Sequence, residues 1–247
     1  MKILAIDSSG MPASVAVLTD GILEAEYTIN NKLTHSQTLL PMIDQVSKMI
    51  GLDTANLDAI AIAAGPGSFT GLRIGSATAK GLGLALDKPI IEVPTCDALA
   101  FNLYRTGGLI CPMMDARRSE VYTGIYRFEG DRFITVKEQT PLAVAEIAAE
   151  LNRLGQEVTL AGDGVPVYLE KLKDLLTVPF YAAPAHLSRQ RAGAVAALGA
   201  RLFEAGKTVS AADHVPVYLR LSQAERERKE REEKGIAEGR YGKSTHL

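Results

Sequence analysis

Gly65-Pro66-Gly67-Ser68-Phe69-Thr70-Gly71-Leu72-Arg73-Ile74-Gly75 is the stretch of this chain that decides its architecture. An apolar run, residues 58–64, leads into it, and a long helical pattern, residues 70–86, leads out. A strand, a glycine-rich turn and a helix N-terminus in that order make a corner at which backbone N–H groups can meet a phosphate. The spacing is not that of a Walker loop, because no Gly-Lys-Ser/Thr follows. Thr70 also stands where the third glycine of a dinucleotide fingerprint belongs. A tight strand-to-helix turn without a ligand explains the glycines equally well.

On the N-terminal side, residues 3–7 read as a short strand ending in Asp7, with strands over 14–18 and 22–29 joined at the hairpin dipeptide Asp20-Gly21. Leu39, Met42, Ile43, Val46, Met49 and Ile50 repeat at helical spacing over residues 36–50; Pro41 is assigned to the first turn and Gly51 to the end. On the C-terminal side come a strand at 89–93 and a helix at 95–104. The second half repeats the alternation: strands at 109–115, 120–128 and 132–139, a helix at 141–154 opened by Pro141, and a strand at 158–161. The turn Gly162-Asp163-Gly164, a helix at 165–176 and an alanine-rich helix at 188–205 complete it. The expected fold is α/β, two lobes with mixed sheets flanked by helices. Residues 1–104 form the first lobe, closed by a C-terminal helical segment at about 188–218, and residues 105–187 form the second. Residues 219–247 read as a charged, frayed tail, since 222–234 balances five acidic against five basic side chains.

The 247 residues, 47% hydrophobic and 23% charged, are ample for a folded core, and a net charge of −2 gives no bulk attraction to nucleic acid or anionic membrane. Cys96 and Cys111 form no CxxC pair and sit in apolar contexts, as buried free thiols do. Asp7 arrives too early for a signal peptide, and Arg73 and Lys80 interrupt the longest apolar run, so no membrane contact and a cytoplasmic location are expected.

In actin-like ATPases and sugar kinases a carboxylate placed like Asp7 orients metal-bound water near a phosphate. The plain alternative is an aspartate that bonds the N–H groups of the Ser8-Ser9-Gly10 turn. Gly71, Gly75, Ala79 and Gly83 form a stripe spaced by four; each helical glycine costs about 1 kcal/mol relative to alanine, so a close neighbour must compensate. That neighbour is expected to be another helix, either 36–50 or one from a second subunit. His35, His186, His214 and His246 are scattered, with no HxxxH, HExxH or Cys/His zinc spacing, and no serine occupies a GxSxG elbow. Asp115, Arg117, Arg118 and Glu120 read as a structural ion-pair network.

The opening Ile3-Leu4-Ala5-Ile6-Asp7-Ser8-Ser9, then His35-Ser36-Gln37-Thr38-Leu39-Leu40-Pro41, the 65–75 block, Ala79-Lys80-Gly81-Leu82 and Asp115-Ala116-Arg117-Arg118-Ser119-Glu120-Val121-Tyr122 together closely resemble the TsaB (YeaZ) family of bacterial tRNA threonylcarbamoyladenosine proteins. The resemblance is densest over residues 1–126. It implies an actin-like ATPase (ASKHA) fold and a non-catalytic scaffold. The catalytic paralogue, TsaD, would transfer threonylcarbamoyl to adenosine 37 of tRNAs reading codons that begin with A, with a small ATPase, TsaE, as third partner. TsaD-like relatives hold metal partly through a His-x-x-x-His pair; Thr95 and Leu99 align there, and neither replaces an imidazole, so no metal and no catalytic residue are expected.

The same resemblance implies that the helices near 35–50 and 70–86 form a bundle with the partner. The interface set is His35, Leu39, Met42, Ile43, Val46, Gly71, Ile74, Gly75, Thr78, Ala79 and Leu82, and the same surface would make a homodimer when the chain is alone. Asp7, Gly65, Gly67, Ser68 and Thr70 would then be a vestigial phosphate site. No cofactor is expected on the chain by itself, ATP or ADP entering only in the assembled complex, and tRNA contact is indirect. The competing expectation is an active ASKHA-type kinase or ATPase using Asp7 and the 65–71 turn, with Asp163 as a second acid. A peptidase finds no support, since neither a metal-water nor a nucleophile-base set is present.

Overall fold

The apolar run at the N-terminus becomes β1 (Lys2–Asp7), buried from Ile3 onward and therefore nearly continuous in hydrophobic residues. It pairs antiparallel with β2 (Ala13–Thr19), which pairs antiparallel with β3 (Ile22–Ile29). On its other side β1 runs parallel to β4 (Ala59–Gly65), and β4 parallel to β5 (Ile90–Pro94), in the order β3-β2-β1-β4-β5. A second sheet uses β6 (Leu109–Asp115), β7 (Glu120–Glu129), β8 (Arg132–Ala143), β9 (Val158–Ala161) and β10 (Phe180–Ala182), in the order β10-β9-β6-β7-β8. It repeats the first sheet strand for strand: an antiparallel trio continued by two parallel strands. This computed structural model describes residues 1–31 and 33–220; the expected charged run at 222–234 and His246 lie outside the described residues. The duplicated mixed-sheet topology is the actin-like, two-lobed α/β fold.

Among the described residues the helices are, in chain order, α1 (His35–Ile50), α2 (Phe69–Leu86), α3 (Thr95–Phe101), α4 (Val144–Leu154), α5 (Gly164–Leu175) and α6 (Ala192–Glu204), with a 3₁₀ turn at Thr54–Asn56. α1 and α2 cover one face of the first sheet, burying Leu39, Met42, Val46 and Ala79 against Leu4, Ile6, Ile60 and Ile62. α6 covers the opposite face, packing Val195, Ala196 and Leu198 on Ile3, Ala5, Ile91 and Val93. Each fully buried Leu or Ile contributes roughly 1.5–3 kcal/mol. α4 and α5 cover the second sheet, and α3 sits between the lobes, with Cys96 and Leu99 packed on Ile110, Met114 and Tyr126.

Several boundaries differ from the sequence expectation, each for a tertiary reason. Pro141 does not open a helix: β8 continues to Ala143, with Pro141 opposite Tyr122 on the sheet's edge strand, where a missing N–H is tolerated. α6 starts at Ala192, not 188, because Arg191 is extended and the first free N–H groups find distant partners: Ala192 donates to Ser14 Oγ at 2.8 Å and Gly193 to Glu26 Oε1 at 2.9 Å. The closing segment is thus helical only to Glu204; residues 207–220 run as an irregular strap over the first lobe. Pro41 lies inside α1, past its first turn, and faces solvent. β10 was not anticipated.

Candidate functional site

A cavity of about 560 Å³ opens between the lobes. Its walls come from the β1–β2 turn, the start of α1, the 65–71 turn, the β6 end with Asp115 and Arg117, Asp163, and the strap residues Val217 to Arg220. The fold therefore brings the glycine corner and Asp163, the second acid of the kinase reading, to one cleft together with Asp115 of the charged cluster.

Asp7 does not line this cavity. It is 1% exposed, and its Oδ1 accepts from the Ser9 N–H at 2.9 Å and the Ser9 Oγ at 2.6 Å. Burial pushes its pKa up to about 6 against these stabilising hydrogen bonds. The turn-stabilising reading describes its surroundings.

Three N–H groups of the glycine corner are used internally. The Gly65 N–H donates to Thr95 Oγ1 at 3.1 Å, the Ser68 N–H to the Ser9 carbonyl at 2.7 Å, and the Gly71 N–H to the capping Ser68 Oγ at 3.2 Å. Gln139 clamps the same corner, donating to the Gly65 carbonyl at 3.0 Å and accepting from the Cys96 N–H at 3.1 Å. A Cβ on Gly67 would overlap the Ser9 carbonyl, so glycine is needed there for close backbone approach. Thr70 is exposed at the first turn of α2.

Thr95 and Leu99 are both fully buried, one holding the corner and the other in the inter-lobe core. Among the described residues no group of three His, Cys, Asp or Glu side chains could hold a metal ion. The acids around the cleft already have cationic neighbours. Asp115 pairs with Arg117 at 3.3 Å and accepts the Tyr168 hydroxyl at 2.8 Å. Glu120 pairs with Arg220, and Asp163, held above the usual carboxylate range by burial, accepts the Asp115 N–H at 3.0 Å and feels Arg189. The turn that carries these groups holds Arg117, Arg118 and Ser119 at φ 65°, 55° and 60°, three successive non-glycine residues in the left-handed region.

The interface set read from sequence divides. Leu39, Met42, Ile43, Val46 and Ala79 are buried against their own sheet, and so cannot meet a partner directly. Gly71 and Gly75 are buried too: a Cβ on either would overlap Ser8, at its carbonyl oxygen and its Oγ respectively. The small-residue stripe therefore seats α2 mainly on Ser8, just past β1, and on Ile62 of β4, with His35 of α1 beside Gly71, and Gly83 continues it against Ala211, whose Cβ would lie 2.8 Å away. The His35 ring turns inward to the Gly10 carbonyl, 2.9 Å from Nε2. Ile74, Thr78 and Leu82 are half-buried. The large apolar side chains that do face out lie outside that set: Leu40 (56% exposed), Leu84 (60%) and Met49 (76%), which the helical spacing had placed on the apolar stripe; Ala77, Gly81 and Ala85 are exposed with them. A Cβ at Gly81 would meet nothing within 4 Å. α2 is apolar nearly all round, so its pattern alone cannot say which face is covered.

Among the described residues, no helix is long and apolar enough to cross a membrane. The family model described as TsaD, tRNA N6-adenosine threonylcarbamoyltransferase, matches residues 25–227. The tRNA threonylcarbamoyladenosine biosynthesis protein TsaB of Bacillus subtilis is 34% identical over 228 residues, covering 91% of this chain and 96% of its own length. TsaB of Escherichia coli is 31% identical over 227 residues with the same coverages, 91% and 96%. The solved structure of YeaZ from Pseudomonas aeruginosa superposes with a TM-score of 0.77 at 30% identity, over 88% of this chain and 99% of that one. With the duplicated sheets and these likenesses together, the chain belongs to the TsaB (YeaZ) family of tRNA threonylcarbamoyladenosine biosynthesis proteins.

Proposed function

We propose that this chain is a non-catalytic subunit that binds and stabilises the TsaD paralogue, which threonylcarbamoylates adenosine 37 in tRNAs reading codons beginning with A. The observation that carries the reading is the exposed face of α2, where Leu84 stands at helical spacing with Ala77, Gly81 and Ala85, while α1 leaves Leu40 and Met49 exposed as well. Small residues between large apolar ones let a second helix pair approach closely, as in a four-helix bundle. The same face supports a homodimer when the partner is absent, because a two-fold contact reuses one patch. In this reading TsaE joins the pair, tRNA touches this subunit only indirectly, and ATP or ADP binds only in the assembled complex.

The test is light scattering after size exclusion on the chain alone and mixed with the TsaD paralogue. A one-to-one complex formed at the expense of a homodimer is expected. Gly81→Arg is expected to stay folded and lose both assemblies. Absence of a complex at micromolar concentration would overturn the reading. The kinase or ATPase alternative would then be taken up by nucleotide titration of the pure chain; against it stand the placement of Asp7 off the cavity wall and the internal use of the corner's N–H groups.

A further inference from the structure

The strap that follows α6 is anchored to the first lobe at four points. The Val209 N–H and carbonyl pair with Ile90 at 2.9 Å each. His214 is buried, with Nδ1 2.6 Å from Glu92 Oε1 and Nε2 2.9 Å from Ser76 Oγ, and its carbonyl accepts Lys80 Nζ at 3.0 Å. The Val217 N–H donates to the Ala64 carbonyl at 2.8 Å, directly before the glycine corner. Tyr218 then packs against Phe69, ring centroids 4.8 Å apart and the planes tilted by 37°, and its hydroxyl accepts from Arg73 Nε at 3.3 Å. Two residues later the chain has left the first lobe: Arg220 Nη1 donates to the Ala116 carbonyl at 3.1 Å and Nη2 pairs with Glu120, both on the β6–β7 turn of the second lobe. Val217, Tyr218, Leu219 and Arg220 all form part of the cavity wall.

We propose that residues 214–220 are a clasp across the mouth of the inter-lobe cavity, with the Arg220–Glu120 pair as its catch, and that releasing the catch lets the lobes part and opens the cavity. The anchors grade from firm to light along the strap. His214 is buried and fully bonded, whereas the catch is a partly exposed ion pair, with side-chain exposures of 20% and 35%, made by one residue on each lobe. A hinge device needs this asymmetry: one end stays seated while the other lets go. The catch also explains why an acid at the cleft faces an arginine from 100 residues away in sequence (Arg220 and Glu120).

Hydrogen-exchange mass spectrometry on the full chain tests this, with wild type, Arg220→Ala and Glu120→Gln compared. Loss of a charged hydrogen bond is expected to speed exchange at residues 65–72 and 116–122 by roughly tenfold, while β1 and β6 keep wild-type protection. A spin-label pair at Thr70→Cys and Val167→Cys, one on each lobe, is expected to show a longer and broader separation in both variants. Exchange within about twofold of wild type, with an unchanged label separation, overturns the proposal. Should Arg220→Ala speed exchange throughout the chain, Glu120→Gln decides, since it leaves the Arg220 bond to Ala116 in place. Uniform acceleration there as well would make the pair a stability element and overturn the clasp.

Discussion

Asp7→Asn should flatten part of the pH dependence of folding. In the native protein Asp7 is sealed under the first turn, and desolvation carries its pKa from the ordinary 3.8 to about 6. The folded state thus holds its proton to higher pH than the unfolded chain does. Below about pH 3.8 both states are protonated and Asp7 penalises nothing; above about pH 6 both are ionised, and the buried charge destabilises the fold by about 3 kcal/mol. Asparagine keeps the acceptor for the Ser9 N–H and Oγ but carries no charge. Any cost of an imperfectly bonded amide, about 1–3 kcal/mol, is the same at every pH and cancels in the comparison. Urea denaturation of both proteins should therefore show the variant gaining about 2–3 kcal/mol on wild type between about pH 4 and about pH 8. Parallel pH profiles would refute the reasoning, since they would mean that Asp7 ionises in the fold as it does in water. In the proposed scaffold role, binding of the TsaD paralogue is unchanged by the substitution.

Gly75→Leu should fail to fold or lose more than about 3 kcal/mol in chemical denaturation, because the added side chain collides with Ser8 and Ile62 beneath α2. Leu99→His, which restores one half of a His-x-x-x-His pair, should cost about 2–4 kcal/mol and bring no zinc retention by elemental analysis, since the ring would replace a fully buried core side chain. Tyr126→Phe removes the donor 2.7 Å from Asp97 Oδ1, whose pKa burial already lifts to about 6; the loss, about 1–3 kcal/mol, should be larger at pH 8 than at pH 5, because only the ionised carboxylate depends fully on that bond. Thermal melts at about pH 5 and about pH 8 check it.

The parts of the fold legible in sequence are those governed by local rules. Asp20 and Gly21 turn the first hairpin with φ of 48° and 80°, as their dipeptide implies. Gly51 ends α1 at φ 62°, and Ser68 caps α2 with its hydroxyl. The boundaries that were missed depend on partners far away in the chain: α6 begins where Ser14 and Glu26 can receive its N–H groups, and Pro141 belongs to a strand because Tyr122 lies beside it. At the candidate site, the glycine corner was visible but its satisfaction was not. Nothing in the sequence ties Thr95 to Gly65, or Gln139 to the Gly65 carbonyl and the Cys96 N–H. The face of α2 was misjudged for a different reason. Gly75 and Gly81 look alike in a helical pattern, and only the position of β1 tells which of them is open to a partner.

The placement of α6 has a consequence for how the chain comes off the ribosome. Ile3, Ala5, Ala61, Ile91 and Val93 form an apolar sheet face that stays uncovered until residues 192–204 arrive, after the whole second lobe has been made. The first lobe is therefore the first to be synthesised and the last to be finished. While it waits, it presents an open hydrophobic surface to chaperones and to other nascent chains, and a nonsense mutation anywhere in the second lobe would leave that surface bare for good.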